Sequence, residues 1–263
     1  MGDLADIGHL VYRSHLFGIP TRTVGELMRL LYLQNGASRE TVSGLERRFA
    51  SFGFDVRMVW AYGGEDPGDL SQYAACFVSG SPHGAYEDIG WIHREHDWLQ
   101  TLANHGVPVL GICFGSQILA SALCGRNEVF RRSSCEVGYI DLAVTEDARN
   151  DLVARDLGAA VHMFVWHNDE VRATHPDMVI LATSADCPNH IWRHRRYPAW
   201  GIQGHPEVSA KQAQVWFENS RARLEKDGAD VAALKECAVD AVDADRMLVN
   251  FMSEAKRGAL KAA

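Results

Sequence analysis

Short apolar blocks alternate with amphipathic segments along most of this chain. Apolar blocks that end at Gly, Asn or Ser predict buried strands, and apolar residues spaced three or four positions apart predict helices. Strands that alternate with helices favour a parallel sheet covered by helices on both faces. We therefore expect an α/β fold with an open, mostly parallel twisted sheet and some antiparallel strands. The strands predicted for its first half are residues 28–34, 55–60, 75–79 and 107–113.

Two helices are predicted between these strands. Ser38 is a candidate N-cap for a helix that carries Val42, Leu45 and Phe49 at helical spacing. Residues 92–104 form the second predicted helix. The polar groups that predict functional sites follow the strands, which is where an open α/β sheet places its ligands.

The second half of the chain is patterned differently. Residues 135–207 are rich in short apolar runs and turns, which predicts antiparallel strands, and helices are predicted near 209–224 and 243–257. No internal repeat or low-complexity linker divides the sequence. We therefore expect residues 27–263 to form a single domain, preceded by an N-terminal extension of residues 1–26.

The segment 111–117, Gly-Ile-Cys-Phe-Gly-Ser-Gln, connects an apolar strand to an apolar helix. A Gly-x-Cys-x-Gly turn in that position is typical of a nucleophile elbow, since glycine permits the tight turn. Cys113 is then expected at a helix N-terminus, where free N–H groups favour a thiolate. The motif predicts nucleophilic catalysis by Cys113, and the alternative is a buried structural cysteine.

A second motif, Gly-His-Pro-Glu at 204–207, follows a predicted strand at 200–203. In extended backbone His205 and Glu207 leave the chain on the same side, and Pro206 fixes one φ angle between them. A carboxylate beside an imidazole selects its tautomer and stabilises the imidazolium. Alone, the motif is equally consistent with a surface turn. Together with the cysteine elbow it predicts a Cys-His-Glu triad.

These two motifs resemble those of the class I (triad) glutamine amidotransferases, and the resemblance covers roughly residues 28–220. It is strongest toward stand-alone members related to the amidotransferase domain of GMP synthase and toward the plant γ-glutamyl peptidases of that branch. The resemblance implies a flavodoxin-like fold. It also implies that Cys113 is the nucleophile, His205 the general base and acid, and Glu207 the orienting carboxylate.

Further site residues follow from the same resemblance. The Ser-Gly-Ser-Pro loop at 79–82 corresponds to the family's oxyanion loop, which places one oxyanion N–H at Gly80 and the other at Phe114. Ser116 stands where His is common in the family, which leaves its effect on packing or specificity open. The substrate-binding residues that the resemblance implies are Gln117, Glu136, Gly138, His167, Asn168 and Asp169.

The resemblance implies hydrolysis of the glutamine side-chain amide through a γ-glutamyl thioester, with ammonia passed to an acceptor or to a synthetase partner. It implies no metal or organic cofactor. The Ser-Gly-Ser-Pro loop, which is similar to that of the peptidase branch, leaves open a γ-glutamyl peptidase or hydrolase that acts on γ-glutamyl compounds. A non-catalytic regulator or scaffold that retains the fold is the third alternative.

The composition and net charge of the chain argue against several classes of function. A net charge of −8 over 263 residues argues against nonspecific nucleic-acid binding. The sequence has no cationic and apolar signal at its start and no run of about 18 apolar residues, so neither secretion nor a membrane span is expected. Six cysteines without a C-x-x-C pair are typical of reduced thiols. We therefore expect a cytoplasmic enzyme.

The chain contains 12 histidines, some of them closely spaced. The pairs His93 with His96 and His190 with His194 are candidate metal ligands. No cysteine or carboxylate stands near them at the usual spacing of a zinc site. The sequence therefore predicts surface histidines at these positions and no metal site.

Overall fold

The computed structural model describes residues 28–40 and 44–262, with side chains up to residue 258. The predicted extension at 1–26 lies outside the described residues. The strands of the described part are β1 (Met28–Gln34), β2 (Phe54–Trp60), β3 (Ala75–Val78), β4 (Val109–Ile112), β5 (Val129–Val144), β6 (Ala160–Val171), β7 (Met178–Thr183), β8 (Ile191–His194) and β9 (Ala199–Ile202). The α-helices there are α1 (Leu45–Ser51), α2 (Gly90–Asn104), α3 (Phe114–Cys124), α4 (Ala210–Asn219), α5 (Arg221–Lys226), α6 (Val231–Glu236) and α7 (Val242–Ala262).

All of these strands form one sheet, in the order β2-β1-β3-β4-β9-β8-β7-β5-β6. The strands from β2 to β9 in this order pair in parallel. The strands from β9 to β6 pair antiparallel. The predicted α/β fold with parallel and antiparallel strands is therefore confirmed. The boundary between the two halves lies at β4 and β9, whose carboxyl ends carry the two motifs.

Helices cover both faces of the sheet, as predicted. Leu30 of β1 belongs to a core shared with Phe49 of α1 and Phe251 of α7. The next residue, Leu31, belongs to the opposite core, which includes Ile118 of α3. Neighbouring residues of a strand point to opposite faces, so a continuous apolar strand supplies both cores. Burying each such side chain contributes about 1.5–3 kcal/mol.

The first predicted helix begins later than expected. Ser38 does not cap it, because α1 begins at Leu45 and Gly44 is its N-cap residue. Gly44 has φ 64°, a left-handed conformation that glycine adopts at little cost, and it turns the chain directly into the helix. The side chain of Ser38 instead accepts a hydrogen bond from the N–H of Glu40. Val42 lies outside the described residues.

The C-terminal region contains more helices than predicted. The segment predicted as one helix near 209–224 is divided at Ser220 into α4 and α5, and the unpredicted α6 follows. Helix α7 buries Phe251 and Met252 on the predicted apolar face. No helix within the described ranges is both long and apolar enough to cross a membrane.

Candidate active site

The cysteine elbow lies between β4 and α3. Cys113 has φ 54° and ψ −112°, and it is one of two non-glycine residues with positive φ in the described part. A Cβ atom on Gly111 would lie 2.2 Å from the carbonyl oxygen of Gly115, and one on Gly115 would lie 2.2 Å from that of Val78. Only glycine fits at either position. The packing holds Cys113 in a conformation that costs on the order of 1–3 kcal/mol.

Pairing of β4 with β9 brings the second motif to the elbow. Ile112 is the register partner of Ile202, and the N–H of Cys113 donates to the carbonyl of Ile202 at 2.8 Å. The segment that follows β9 therefore begins beside Cys113. Nδ1 of His205 lies 2.8 Å from Oε1 of Glu207, and both side chains are at least nine-tenths buried.

The environment of His205 favours its protonated form. Burial by itself lowers the pKa of this imidazole, but the charges of Glu207 and Cys113 and their hydrogen bonds outweigh it and raise the pKa to about 10. The rings of Phe164 and Trp216 lie within 5.7 Å of the imidazole and exclude water from it. The site therefore favours the imidazolium form of His205.

The predicted oxyanion loop lies next to the thiol. A Cβ atom on Gly80 would lie 3.6 Å from Cβ of Cys113 and 3.5 Å from Cε1 of His205. Phe114 is the first residue of α3, so its N–H has no acceptor within the helix. Gly80 and Phe114 therefore both lie next to Cys113, and their role as an oxyanion hole stays a prediction.

A cavity of about 1130 Å³ opens on one side of the thiol. The predicted substrate residues Gln117, His167, Asn168 and Asp169 line it together with Cys113. The side-chain N–H₂ of Gln117 donates to the carbonyl of Asp169 at 3.0 Å. Gln117 is thereby fixed at the inner end of this cavity.

Two residues in this region were missed by sequence reasoning. The carboxylate of Asp169 accepts a hydrogen bond from the hydroxyl of Tyr86 at 3.1 Å and lies 3.5 Å from a guanidinium nitrogen of Arg131. Burial raises the pKa of Asp169 in spite of these partners. Neither of the two sequence motifs includes Tyr86 or Arg131. The position of Arg131 depends on the long β5–β6 pair.

In the described part of the chain, the predicted substrate residues Glu136 and Gly138 do not line the cavity of about 1130 Å³. The Oε2 atom of Glu136 instead lies 2.6 Å from Nε2 of His167 and 3.4 Å from Nε2 of His190. Burial alone would raise the pKa of Glu136, but hydrogen bonds with the two histidines hold it well below its usual range. Gly138 has φ 129°, and a Cβ atom there would lie 3.1 Å from Leu234.

A smaller cavity of about 360 Å³ also borders Cys113 and is lined by His205, which does not line the large one. Its walls include aromatic side chains and a few polar groups. Cys113 lines both cavities, so the sulfur stands where they meet. Among the residues of the smaller cavity are Tyr32, Gln34, Trp166, His205 and Trp216.

The expectation of surface histidines is wrong at three of the four positions. His96, His190 and His194 are buried, whereas His93 is half-buried. Nδ1 of His194 accepts the N–H of Tyr197 and closes the β8–β9 turn. Burial lowers the pKa of His96 and of His194 to about 4. His96 lies on the buried face of α2, and His194 lies on the inner side of the β8–β9 hairpin. The spacing of residues in the sequence does not indicate either position.

Ser116, the departure from the family pattern, is fully buried beneath the elbow. Its hydroxyl accepts a hydrogen bond from the indole N–H of Trp192 at 2.8 Å. A Cβ atom on Gly201 would lie 2.3 Å from the same hydroxyl. Ser116 therefore contributes to packing between α3 and the sheet.

Solved structures share this fold. A glutamine amidotransferase from Thermotoga maritima superposes with a TM-score of 0.69 at 24% identity, covering 90% of this chain and 97% of that one. One from Methylobacillus flagellatus gives a TM-score of 0.67 at 19% identity, covering 90% and 94%. At these identities the likeness establishes the fold.

Sequence relatives point the same way. Over 129 residues the chain is 31% identical to a glutamine-hydrolysing GMP synthase subunit from Methanothermobacter thermautotrophicus, covering 49% of this chain and 67% of the relative. The corresponding GMP synthase subunit of Pyrococcus abyssi is 32% identical over 111 residues. This match covers 42% of this chain and 56% of the relative. The chain thus spans between about half and two thirds of these relatives.

The family model described as glutamine amidotransferase class-I matches residues 36–222, which is more than half of the chain. This range includes the elbow and the Gly-His-Pro-Glu motif. Fold, relatives and family model agree, and the chain belongs to the class-I glutamine amidotransferases, a family of enzymes.

Proposed function

We propose that this chain hydrolyses the side-chain amide of glutamine through a triad of Cys113, His205 and Glu207. The observation that carries the proposal is the strained cysteine elbow beside a buried imidazole–carboxylate pair. Strain of this kind persists only where the surrounding packing enforces it, and such strain clusters at functional sites. A non-catalytic scaffold would have no need of it.

The chemistry follows from the arrangement. The Cys113 thiolate attacks the amide carbon, and the N–H groups of Gly80 and Phe114 stabilise the oxyanion. Losing one such donor typically costs about 100- to 1,000-fold in rate. The His205 imidazolium protonates the amide nitrogen, the C–N bond breaks and ammonia departs, which leaves a γ-glutamyl thioester on the sulfur. Water then attacks the thioester with His205 as general base, and glutamate is released.

The large cavity is the proposed binding site of the glutamyl group. Gln117 contacts the γ-glutamyl chain near the thiol, and the Asp169 carboxylate pairs with the substrate ammonium group. Arg131, which lies beside Asp169 and is exposed, pairs with the substrate carboxylate. Asn168 lines the same wall.

A partner for the ammonia is part of the proposal. The relatives are named as one subunit of a glutamine-hydrolysing GMP synthase, which implies at least one further subunit in those enzymes. We infer that this chain passes its ammonia to a separate acceptor enzyme of the synthetase type.

One observation favours a second candidate function, γ-glutamyl hydrolysis with a larger leaving group. The cavity of about 360 Å³ is lined by both Cys113 and His205, and His205 is the residue that protonates the leaving group in this proposal. Ammonia occupies about one water volume, roughly 30 Å³, so the cavity has room for an amine or a peptide. The aromatic rings of Trp166 and Trp216 would cover its apolar part.

The experiment compares glutamate release from glutamine, a γ-glutamyl dipeptide and a γ-glutamyl alkylamine, with and without a candidate synthetase. Release from glutamine that rises with the synthetase supports the first function. Fast cleavage of the larger substrates by the isolated chain, with negligible glutaminase activity under any condition, supports the second. A diazoketone analogue of glutamine should label Cys113 and none of the other five cysteines. Labelling elsewhere, with Cys113 unmodified, contradicts both.

A further inference from the structure

Four side chains with metal-binding atoms meet in the interior of the protein, and the Cys113 thiol is not one of them. They are Glu136 of β5, His167 of β6, and Cys187 and His190 of the segment between β7 and the start of β8. One ligand atom from each lies within 4.8 Å of every other. The two histidine side chains are completely buried, and that of Glu136 is 11% exposed.

Both ring nitrogens of His167 face hydrogen-bond acceptors in this cluster. Its Nδ1 lies 3.0 Å from the carbonyl oxygen of Asp169, and its Nε2 lies 2.6 Å from a carboxylate oxygen of Glu136. A neutral imidazole donates only one hydrogen bond, and here both ring nitrogens face acceptors. An N–H donated to a backbone carbonyl, with the other nitrogen aimed at the cluster, is the arrangement of a metal-binding histidine.

His190 supplies an independent observation. Its Nδ1 is buried and has no hydrogen-bond partner within the described ranges. Its Nε2 is shared between the hydroxyl of Ser184 at 3.1 Å and Glu136 at 3.4 Å. An unsatisfied buried nitrogen costs about 1–3 kcal/mol, so the protein groups of the described part do not fully satisfy this ring.

We propose that Glu136, His167, Cys187 and His190 bind one divalent cation of the zinc type. A thiolate, two imidazoles and a carboxylate form a mixed S, N and O donor set that suits Zn²⁺ and not Mg²⁺ or Ca²⁺. Tetrahedral Zn²⁺, with bonds of about 2.0–2.3 Å, places its ligand atoms roughly 3.3–3.8 Å apart. The widest pair has to approach by about 1 Å, within the reach of side-chain rotation.

Binding of the ion would release protons from the four ligands. The ion replaces the thiol proton of Cys187 and the proton held between His167 and Glu136, so two protons leave as the ion enters. The thiolate and the carboxylate then neutralise the charge of the cation. His167 lines the large cavity, which provides an entry path from solvent.

Four protein ligands leave no open position, so the proposed ion is structural. It would fasten β5, β6 and the segment before β8 behind the cavity wall that carries His167 and Asp169. Cys187 stands three residues before His190, and this pair was not recognised from the sequence as a metal-site signal because the other two ligands come from β5 and β6.

The test uses the tag-free full chain with Cys113→Ser, which removes the competing thiolate of the elbow. Zinc content is measured after dialysis, and the chelated chain is titrated with Co²⁺. We expect one ion per chain, visible d–d bands of tetrahedral cobalt, a thiolate-to-cobalt charge-transfer band and a rise in Tm on metal addition. None of these readouts depends on activity.

Variants in the same background locate the site. Cys187→Ser should abolish the charge-transfer band and weaken binding by at least about 100-fold. Cys237→Ser, at an exposed cysteine, is the matched control and should bind as before. If Cys187→Ser does not fold, His190→Ala provides the same test through loss of affinity and of the Tm rise. Absence of stoichiometric binding, or full binding by either variant, would overturn the proposal and leave protons alone in the cluster.

Discussion

The Nδ1 atom of His205 lies 2.8 Å from the Oε1 atom of Glu207, in a pair that is at least nine-tenths buried. The other oxygen of Glu207 is buried without a hydrogen-bond partner in the described part of the chain. The carboxylate therefore interacts mainly with the imidazole. Its charge is one of the causes that raise the pKa of His205, together with Cys113.

Removal of either member of this pair should lower turnover, but by different amounts. We expect His205→Ala to reduce kcat for glutamate release by about 10²- to 10⁴-fold or more, because it removes the proton shuttle. Glu207→Gln keeps the base and should cost less than His205→Ala in the same assay. Steady-state glutamate release measures both. Equal losses, with a lowered Tm in Glu207→Gln, would show that Glu207 also holds the turn after β9.

Glu207→Gln should also shift the pH profile. The pKa of His205 is raised to about 10, and the charge of Glu207 is among the causes. Leaving-group protonation needs the imidazolium, so wild-type activity should fall only as the pH rises through this range. Without the carboxylate the pKa drops, and the alkaline decline should begin at a lower pH. An unchanged alkaline limb in kcat/KM would contradict the assigned role.

The strain at Cys113 can be measured with two inactive variants. Cys113→Gly and Cys113→Ala both lack the thiol, but only glycine adopts φ 54° and ψ −112° without a steric penalty. We expect Cys113→Gly to be more stable to urea than Cys113→Ala by about 1–2 kcal/mol. Equal stabilities would show that the elbow is unstrained.

The sequence predicted the parts of the fold that depend on local pattern. The strands of the parallel half and the two turns after β4 and β9 follow directly from apolar runs and glycine positions. The start of α1 was missed because Gly44 competes with Ser38 as the N-terminal signal. The division at Ser220 was missed because the apolar pattern continues across it.

Site residues were predictable where a motif is contiguous. Cys113 and His205 lie in such motifs, and their meeting follows from strand pairing. Arg131 and His190 reach their sites through the long β5–β6 pair and the turn before β8. Their positions depend on register between distant segments, which no local pattern encodes.

Gly115 should be among the least replaceable residues. A Cβ atom there would lie 2.2 Å from the carbonyl oxygen of Val78, which is backbone and cannot move aside. We expect Gly115→Ala to lower the free energy of unfolding by more than about 3 kcal/mol. Gly258→Ala is the matched control, since nothing lies within 4 Å of its added Cβ and helix propensity favours alanine by about 1 kcal/mol. Urea denaturation distinguishes the two, and tolerance of Gly115→Ala would contradict the close approach of α3 to β3.

A buried carboxyl group lies behind the loop at 79–82. Oε1 of Glu95 on α2 accepts a hydrogen bond from the side-chain amide of Asn35 at 2.8 Å, and the N–H of Asn35 donates to the hydroxyl of Ser79. Glu95 is fully buried, and this burial raises its pKa to about 8 in spite of the bond from Asn35. Its second oxygen has no partner within the described ranges. The group is therefore neutral in the folded chain near neutral pH.

Glu95 should make stability fall as the pH rises from the ordinary carboxyl range to about 8. In that window the folded chain holds a proton that the unfolded chain has lost, so each pH unit costs about 1.4 kcal/mol. Glu95→Gln keeps the acceptor for Asn35 and cannot ionise. The wild type should therefore lose roughly 2–3 kcal/mol relative to Glu95→Gln between about pH 6 and pH 8 in urea denaturation. Glu236→Gln, at an exposed position on α6, is the control and should parallel the wild type. Parallel curves for Glu95→Gln as well would mean that Glu95 is ionised in the folded protein and that its second oxygen is hydrated.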